Sequence, residues 1–191
     1  ERTHYLDSLS LLELPEISTA QSLADIGSGG GFPALVLALA LPGVQITAVE
    51  SVAKKCAHIG RCADALGLKN IQVRCLRAEE YGRSEGREAH DLVVSRALAA
   101  LPVVCEYSLP LLQVGGLMIA MKGPISDQER IQAERALGIL GSDRLEVVGV
   151  IPFAGARYIG WALFFQATVV MGFFPVGLVA ISRMFAVDQR S

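Results

Sequence analysis

The stretch Leu23-Ala24-Asp25-Ile26-Gly27-Ser28-Gly29-Gly30-Gly31-Phe32-Pro33 limits what this chain can fold into more than any other. Its apolar opening predicts a short buried strand. Glycines at alternate positions, Gly27, Gly29 and Gly31, predict a turn whose backbone takes φ > 0 and lets a ligand approach where a Cβ would collide. Pro33 is tolerated in a first helical turn, where its missing N–H would have had no partner, so a helix starts here. The free N–H groups and partial positive end of that helix favour a negatively charged or carboxylate-bearing ligand over the turn.

The rest of the chain repeats the same alternation. Thr3 to Leu14 suits a short or broken amphipathic helix. Ala34 to Leu41 is apolar nearly all round, which predicts a helix buried against a sheet and closed by Pro42-Gly43. Val44 to Val49 alternates and is β-branched, a second strand ending on Glu50. Ser51 is placed to cap a helix with apolar positions Val52, Cys56, Ile59, Ala63 and Leu66, stopped by Gly67. Further strands are expected at Ile71–Cys75, Asp91–Val94, Gly116–Met121 and Leu145–Ile151. An apolar helix broken near Pro102 and Pro110 separates two of them, and a helix opened by a Ser126-x-x-Glu129 capping box precedes the last. The fold class is therefore α/β, a mostly parallel sheet with helices on both faces and ligands bound beyond the carboxyl ends of the strands. The glycine turn, Glu50, Ala78-Glu79, Ser95-Arg96 and Lys122 all fall at such ends.

Composition excludes several function classes. At 191 residues the chain can bury a core without staples. Cys56, Cys62, Cys75 and Cys105 lack CxxC spacing and neighbouring histidines, so they read as small buried hydrophobes in a reducing compartment, with no metal site. The histidines His4, His58 and His90 are scattered and read as surface or packing residues. The net charge of −2 carries no global nucleic-acid signature, yet nine of the 17 Lys and Arg lie between Lys54 and Arg96, which leaves room for a local basic face. The polar opening Glu1-Arg2-Thr3-His4 is not a signal peptide, and a cytoplasmic location is expected.

Two cofactor classes use this layout. Gly29-x-Gly31-x-x-Ala34 formally satisfies a dinucleotide fingerprint, but that register puts Pro33 inside the phosphate turn and leaves Asp25 without a purpose. Asp25-x-Gly27-x-Gly29-x-Gly31 instead matches the pattern of S-adenosyl-L-methionine-dependent methyltransferases. There the acid orients the turn and the methionine amino group, and Glu50 accepts hydrogen bonds from both ribose hydroxyls.

Together with the Lys54-Lys55 pair, Arg77-Ala78-Glu79, Ser95-Arg96-Ala97, Lys122-Gly123 and the upstream Asp7-Ser8-Leu9, this turn resembles the RsmG (GidB) family over about Arg2 to Leu140. The resemblance implies a Rossmann-like class I methyltransferase acting on N7 of a guanine in the 530 loop of bacterial 16S ribosomal RNA, within the 30S subunit. It also implies that Gly27, Phe32, Ala78, Glu79 and Arg96 bind the cofactor. Neither an Asn/Asp-Pro-Pro-aromatic motif nor a cysteine nucleophile stands at Ser95-Arg96-Ala97, which suits N7: its in-plane lone pair needs no general base and no covalent intermediate. Arg96 and Lys122 are candidates to hold the guanine or a phosphate, and Lys54, Lys55 and Arg77 to contact the RNA backbone. A small-molecule methyltransferase of the same fold and a non-catalytic nucleotide- or RNA-binding module are the alternatives.

Residues 1–17 read as the remainder of a longer helical part, 18–160 as the cofactor-binding domain and 161–191 as an apolar segment atypical of the family. From Tyr158 to Ser182 no residue is charged, and Arg157 and Arg183 flank the run. A membrane anchor is weakened by Gln166 and Pro175 in its middle. A shifted reading frame is a further reading, since Phe174–Leu178 can be encoded by bases that, shifted by one, give Pro-Arg-Arg-Val-Gly. The favoured reading is buried strands over Tyr158 to Val170 followed by a tail foreign to the family.

Overall fold

A computed structural model of the chain describes residues 2–148 and 178–184. The order is α1 (Arg2–Ser10), a 3-10 turn, α2 (Pro15–Thr19), β1 (Ser22–Ile26), α3 (Ala34–Ala40), β2 (Gln45–Glu50), α4 (Ala53–Ala65), β3 (Ile71–Cys75) and α5 (Ala78–Gly82). There follow β4 (His90–Arg96), α6 (Leu101–Ser108), a second 3-10 turn, β5 (Leu112–Lys122), α7 (Asp127–Ile139), β6 (Ser142–Val148) and β7 (Leu178–Met184). The seven strands form one sheet in the order β3-β2-β1-β4-β5-β7-β6. β1 to β5 are parallel, and β7 inserts antiparallel to both β5 and β6. The expected strands at Tyr158 to Val170 lie outside the described residues, as does the membrane-anchor reading up to residue 177. Leu178–Ser182 instead forms part of β7, hydrogen-bonded to the sheet. Among the described residues no helix is long and apolar enough to cross a membrane.

Strand periodicity divides the core. Leu23, Ile46, Ala48, Leu92, Val94, Leu117 and Ile119 face one side, packed under α3, α4 and the N-terminal segment through Leu35, Leu37, Ile59 and Leu11. Ala24, Ile26, Val49, Val93, Met118 and Ala120 face the other, packed against Val104, Leu109, Ala133 and Leu137.

Several local expectations are corrected. Ser51 does not cap α4: Val52 holds the N-cap position, and the carboxylate of Glu50 accepts the Val52 N–H at 2.9 Å. Cys56, Ile59 and Ala63 are buried as expected, but Val52 and Leu66 lie at the helix ends and are exposed. The burial of α3 stops at Ala38, leaving Leu39 exposed. Pro102 opens α6 instead of breaking it. Ser126 accepts the Glu129 N–H at 3.2 Å, while the Glu129 carboxylate turns away from the box to the Leu101 N–H at 2.7 Å. Cys56 and Cys105 are buried, but Cys75 is exposed and Cys62 half-buried.

His90 opens β4 in the interior, its Nε2 2.9 Å from the Tyr81 hydroxyl. Burial pushes its pKa down from 6.5 to about 4. A folded pKa below the unfolded one means that the neutral ring supports the fold above pH 6.5 and that this support drains away as pH falls toward 4. The stability advantage of wild type over His90→Gln in urea melts is expected to shrink by up to about 2 kcal/mol between pH 7 and pH 5. A gap independent of pH would show that the ring is not held neutral.

Candidate functional site

The switch in strand order falls between β1 and β4, where β1 connects outward through β2 and β4 leads the other way. Above it lies a cleft of about 360 Å³ lined by Gly27, Val49, Glu50, Ser51, Val52, Lys55, Leu76, Arg77, Ala78, Glu79, Arg96, Ala97, Leu98 and Tyr107. Such a volume suits a small molecule or cofactor.

Register explains the constellation. Asp25 pairs with Ala48 on β2 and Val94 on β4, so Glu50 and Arg96 each stand two residues further on, on the same face of the sheet. Neighbouring strands lie about 4.8 Å apart, which puts the two backbones roughly 10 Å apart across the cleft. Between them the chain leaves β1 at Gly27, with φ +71 and its N–H held by the Val49 carbonyl at 2.8 Å. A Cβ on Gly27 would strike the side chain of Leu98. Gly31, at φ +95, has its missing Cβ replaced by Leu35.

Asp25 does not line the cleft. It is wholly buried beneath the turn, where Oδ2 accepts the Ala34 N–H at 3.1 Å and fastens the start of α3 to β1. Its Oδ1 is buried without a partner among the described residues. Burial drives the Asp25 pKa up from 3.8 to about 7, opposed by Ser28, the Ala34 N–H and the Arg96 charge. Glu50 is nearly as buried: Oε2 accepts the Gly29 N–H and Oε1 the Val52 N–H, each at 2.9 Å, with Lys55 Nζ at 3.8 Å. Each Glu50 oxygen keeps a second lone pair for a ligand hydroxyl. Glu79 raises the pKa of the neighbouring Tyr107 hydroxyl through a side-chain hydrogen bond.

The remaining expected residues divide. Gly29 and Gly31 shape the turn behind the cleft. Phe32 packs edge-on against Tyr5, ring centroids 5.0 Å apart, and underlies the Arg96 guanidinium at 5.8 Å. Lys55 and Arg77 are exposed and line the cleft, whereas Lys54 is exposed but is not among the lining residues. Lys122, in contrast, is absent from the cleft lining; its ammonium pairs with Glu129 at 2.9 Å and donates to the Ala99 carbonyl. Sequence reasoning missed Tyr107 and the lining residue Leu98, and it gave His4 only a surface or packing role although His4 contacts Arg96. It also missed the left-handed backbone of Ala97, φ +50, a strained conformation of the kind concentrated at functional sites. Among the described residues no group of His, Cys, Asp and Glu is arranged to hold a metal ion.

The fold is that of Rossmann-like S-adenosylmethionine methyltransferases. It superposes on a SAM-dependent O-methyltransferase from Thermotoga maritima with a TM-score of 0.67 at 13% identity, covering 96% of this chain and 66% of that one. It also matches a precorrin-6y C5,15-methyltransferase from Geobacter metallireducens, with a TM-score of 0.62 at 15% identity over 95% and 87% of the two chains. At such identities the likeness concerns the fold alone. The GidB family model, rRNA small subunit methyltransferase G, matches residues 1–152, and the chain belongs to this family. Relatives named ribosomal RNA small subunit methyltransferase G include one from Deinococcus radiodurans, 43% identical over 75% of this chain and 57% of its own length. Another, from Pelotomaculum thermopropionicum, is 39% identical over 81% and 65%. The chain thus spans less than two thirds of the length of these relatives.

Two substitutions probe the turn. Gly27→Val is expected to abolish ligand binding in the cleft, because its side chain has no room beside Leu98 and its backbone favours φ < 0; calorimetric binding at wild-type strength would reduce the turn to a mere connection. For Asp25, a folded pKa above the unfolded one means that its contribution is complete below pH 3.8 and is lost as pH rises toward 7. Asp25→Asn is therefore expected to be more stable than wild type at pH 8, by about 1–2 kcal/mol, with the gain vanishing near pH 4. Equal or lower stability at pH 8 would show that the native carboxylate is not strained by burial.

Proposed function

We propose that the chain transfers a methyl group from S-adenosyl-L-methionine to N7 of a guanine in the 530 loop of bacterial 16S ribosomal RNA, within the cytoplasmic 30S subunit. The observation that carries this reading is the constellation at the switch point in a chain of this family: a glycine floor without Cβ, flanked at one level by Glu50 and Arg96. The residues fit the cofactor. Gly27 and the Leu98 side chain packed where its Cβ would be line the floor, Glu50 presents an acceptor to paired hydroxyls, and Ala78 and Glu79 form the wall beyond β3. The buried Asp25 Oδ1, beneath the turn, has no hydrogen-bond partner among the described residues.

When bound, S-adenosylmethionine supplies an electrophilic methyl on its sulfonium. The protein's share of the work is then positional. Guanine N7 carries its lone pair in the ring plane and no proton, so no side chain has to remove one, and alignment is the main catalytic resource. Arg96, at the end of β4, is placed to meet a carboxylate, a phosphate or the base with a planar fork. Lys54, Lys55 and Arg77 are exposed along the same edge and suit contacts to the phosphate backbone, which position the RNA without reading its sequence.

The test is transfer of labelled methyl from S-adenosylmethionine to 30S subunits lacking the modification, set against free guanine nucleotides and small metabolites. Label in 16S RNA at guanine N7 is expected; label only in a metabolite would favour the small-molecule alternative. In parallel, Glu50→Ala is expected to weaken S-adenosylmethionine binding by roughly 2–3 kcal/mol with the fold retained. Unchanged affinity would remove Glu50 from the ribose site.

A further inference from the structure

Helix α1 meets the cleft lining at the guanidinium of Arg96. Asp7 Oδ2 lies 3.5 Å from Arg96 Nη1, with both side chains only 21% exposed. Arg96 Nη1 also lies 2.9 Å from His4 Nδ1, and since arginine can only donate, His4 accepts through an unprotonated Nδ1. The Phe32 ring lies 5.8 Å from the guanidinium carbon, and Phe32 is in turn packed against Tyr5 of α1. The two polar contacts fall on the same nitrogen. The rest of the guanidinium fork is left unused by them, at a residue that lines the cleft.

We propose that Asp7 is a positioning residue for Arg96: its carboxylate, one turn along α1 from His4, holds the guanidinium over Phe32 in the orientation that receives the ligand. The inference rests on the functional reading above and extends it to a helix that does not itself line the cleft. The physical basis is pre-organisation. An arginine at a strand end samples many rotamers, and a ligand that must order it loses affinity in doing so. A carboxylate and an aromatic face on one side of the fork remove that freedom beforehand and leave the opposite donors for the incoming group. Helix α1 is itself anchored, because Tyr5 packs edge-on against Phe32, Ser8 is wholly buried and the following turn buries Leu11 completely. Asp7 therefore acts from a fixed backbone.

A double-mutant cycle tests this by calorimetry with S-adenosylmethionine as the probe, in wild type, Asp7→Asn, Arg96→Met and the double variant. Asp7→Asn is expected to weaken binding about tenfold when Arg96 is present and less than twofold in the Arg96→Met background. Asp7→Glu, which restores the charge, is expected to recover most of the loss. A purely structural role for Asp7 would lower affinity equally in both backgrounds together with the thermal midpoint, and that additive result overturns the proposal, as does unchanged affinity in Asp7→Asn. Wild-type protein that binds no S-adenosylmethionine overturns the proposed function itself, an outcome separate from additivity in a protein that binds it.

Discussion

One buried hydrogen bond fixes the geometry on which the site depends: the Asp25 carboxylate accepting the first N–H of α3. β1 is hydrogen-bonded on both sides, to β2 and to β4, so its end cannot move without disturbing the centre of the sheet. Asp25 ties the next helix to that end while the chain between them folds into a turn no wider than Gly27 to Pro33. The carboxylate is wholly buried and its pKa is raised to about 7, so the tie is made at an electrostatic cost. Local strain of this kind at a functional turn is offset by the apolar packing around it, here Leu23, Leu35, Leu37 and Ile59 on the same face.

The pleat then does the rest. Because side chains alternate along a strand, Asp25, Glu50 and Arg96 share one face, with Asp25 two residues below the other two. Glu50 braces the turn from the side through Gly29 and caps α4 through Val52. A single carboxylate thus joins the turn after β1 to the helix after β2. Val49 holds the same turn from its backbone, with its carbonyl accepting from Gly27 and Ser28 at 2.8 and 3.2 Å.

Much of this was legible in the sequence because it is local. Strand, glycine turn and helix follow from residue types within 20 positions, and period-two alternation puts Glu50 at a strand end without reference to the rest of the fold. What escaped depends on how side chains and elements meet in three dimensions. Lys122 is engaged by Glu129 seven positions on, at the start of the helix that follows β5, and nothing in Lys122-Gly123 signals that its ammonium is already taken. His4 and Asp7 meet Arg96 across about 90 residues. β7 enters between β5 and β6, against the direction of its neighbours, and an apolar run carries no record of direction. Ser51 looked like a cap by residue type, but Glu50 has the longer reach and takes the Val52 N–H instead.

The N-terminal helix shows how site and fold are coupled energetically. A nine-residue helix with no acid in its first turn and no base in its last has little stability of its own. Its order comes from tertiary contacts: the completely buried Leu11 that follows it, the buried Ser8 and Ser10, and the Tyr5–Phe32 edge contact. Arg96 adds a polar contact to that set from the cleft side. Any ligand that engages Arg96 therefore binds best to the state in which α1 is docked, and by mass action its binding stabilises that docking. The converse also holds, because a change that loosens α1 releases the guanidinium and lowers the fraction of molecules ready to bind. Helix α1 and the cleft thus form a single thermodynamic unit, joined at Arg96.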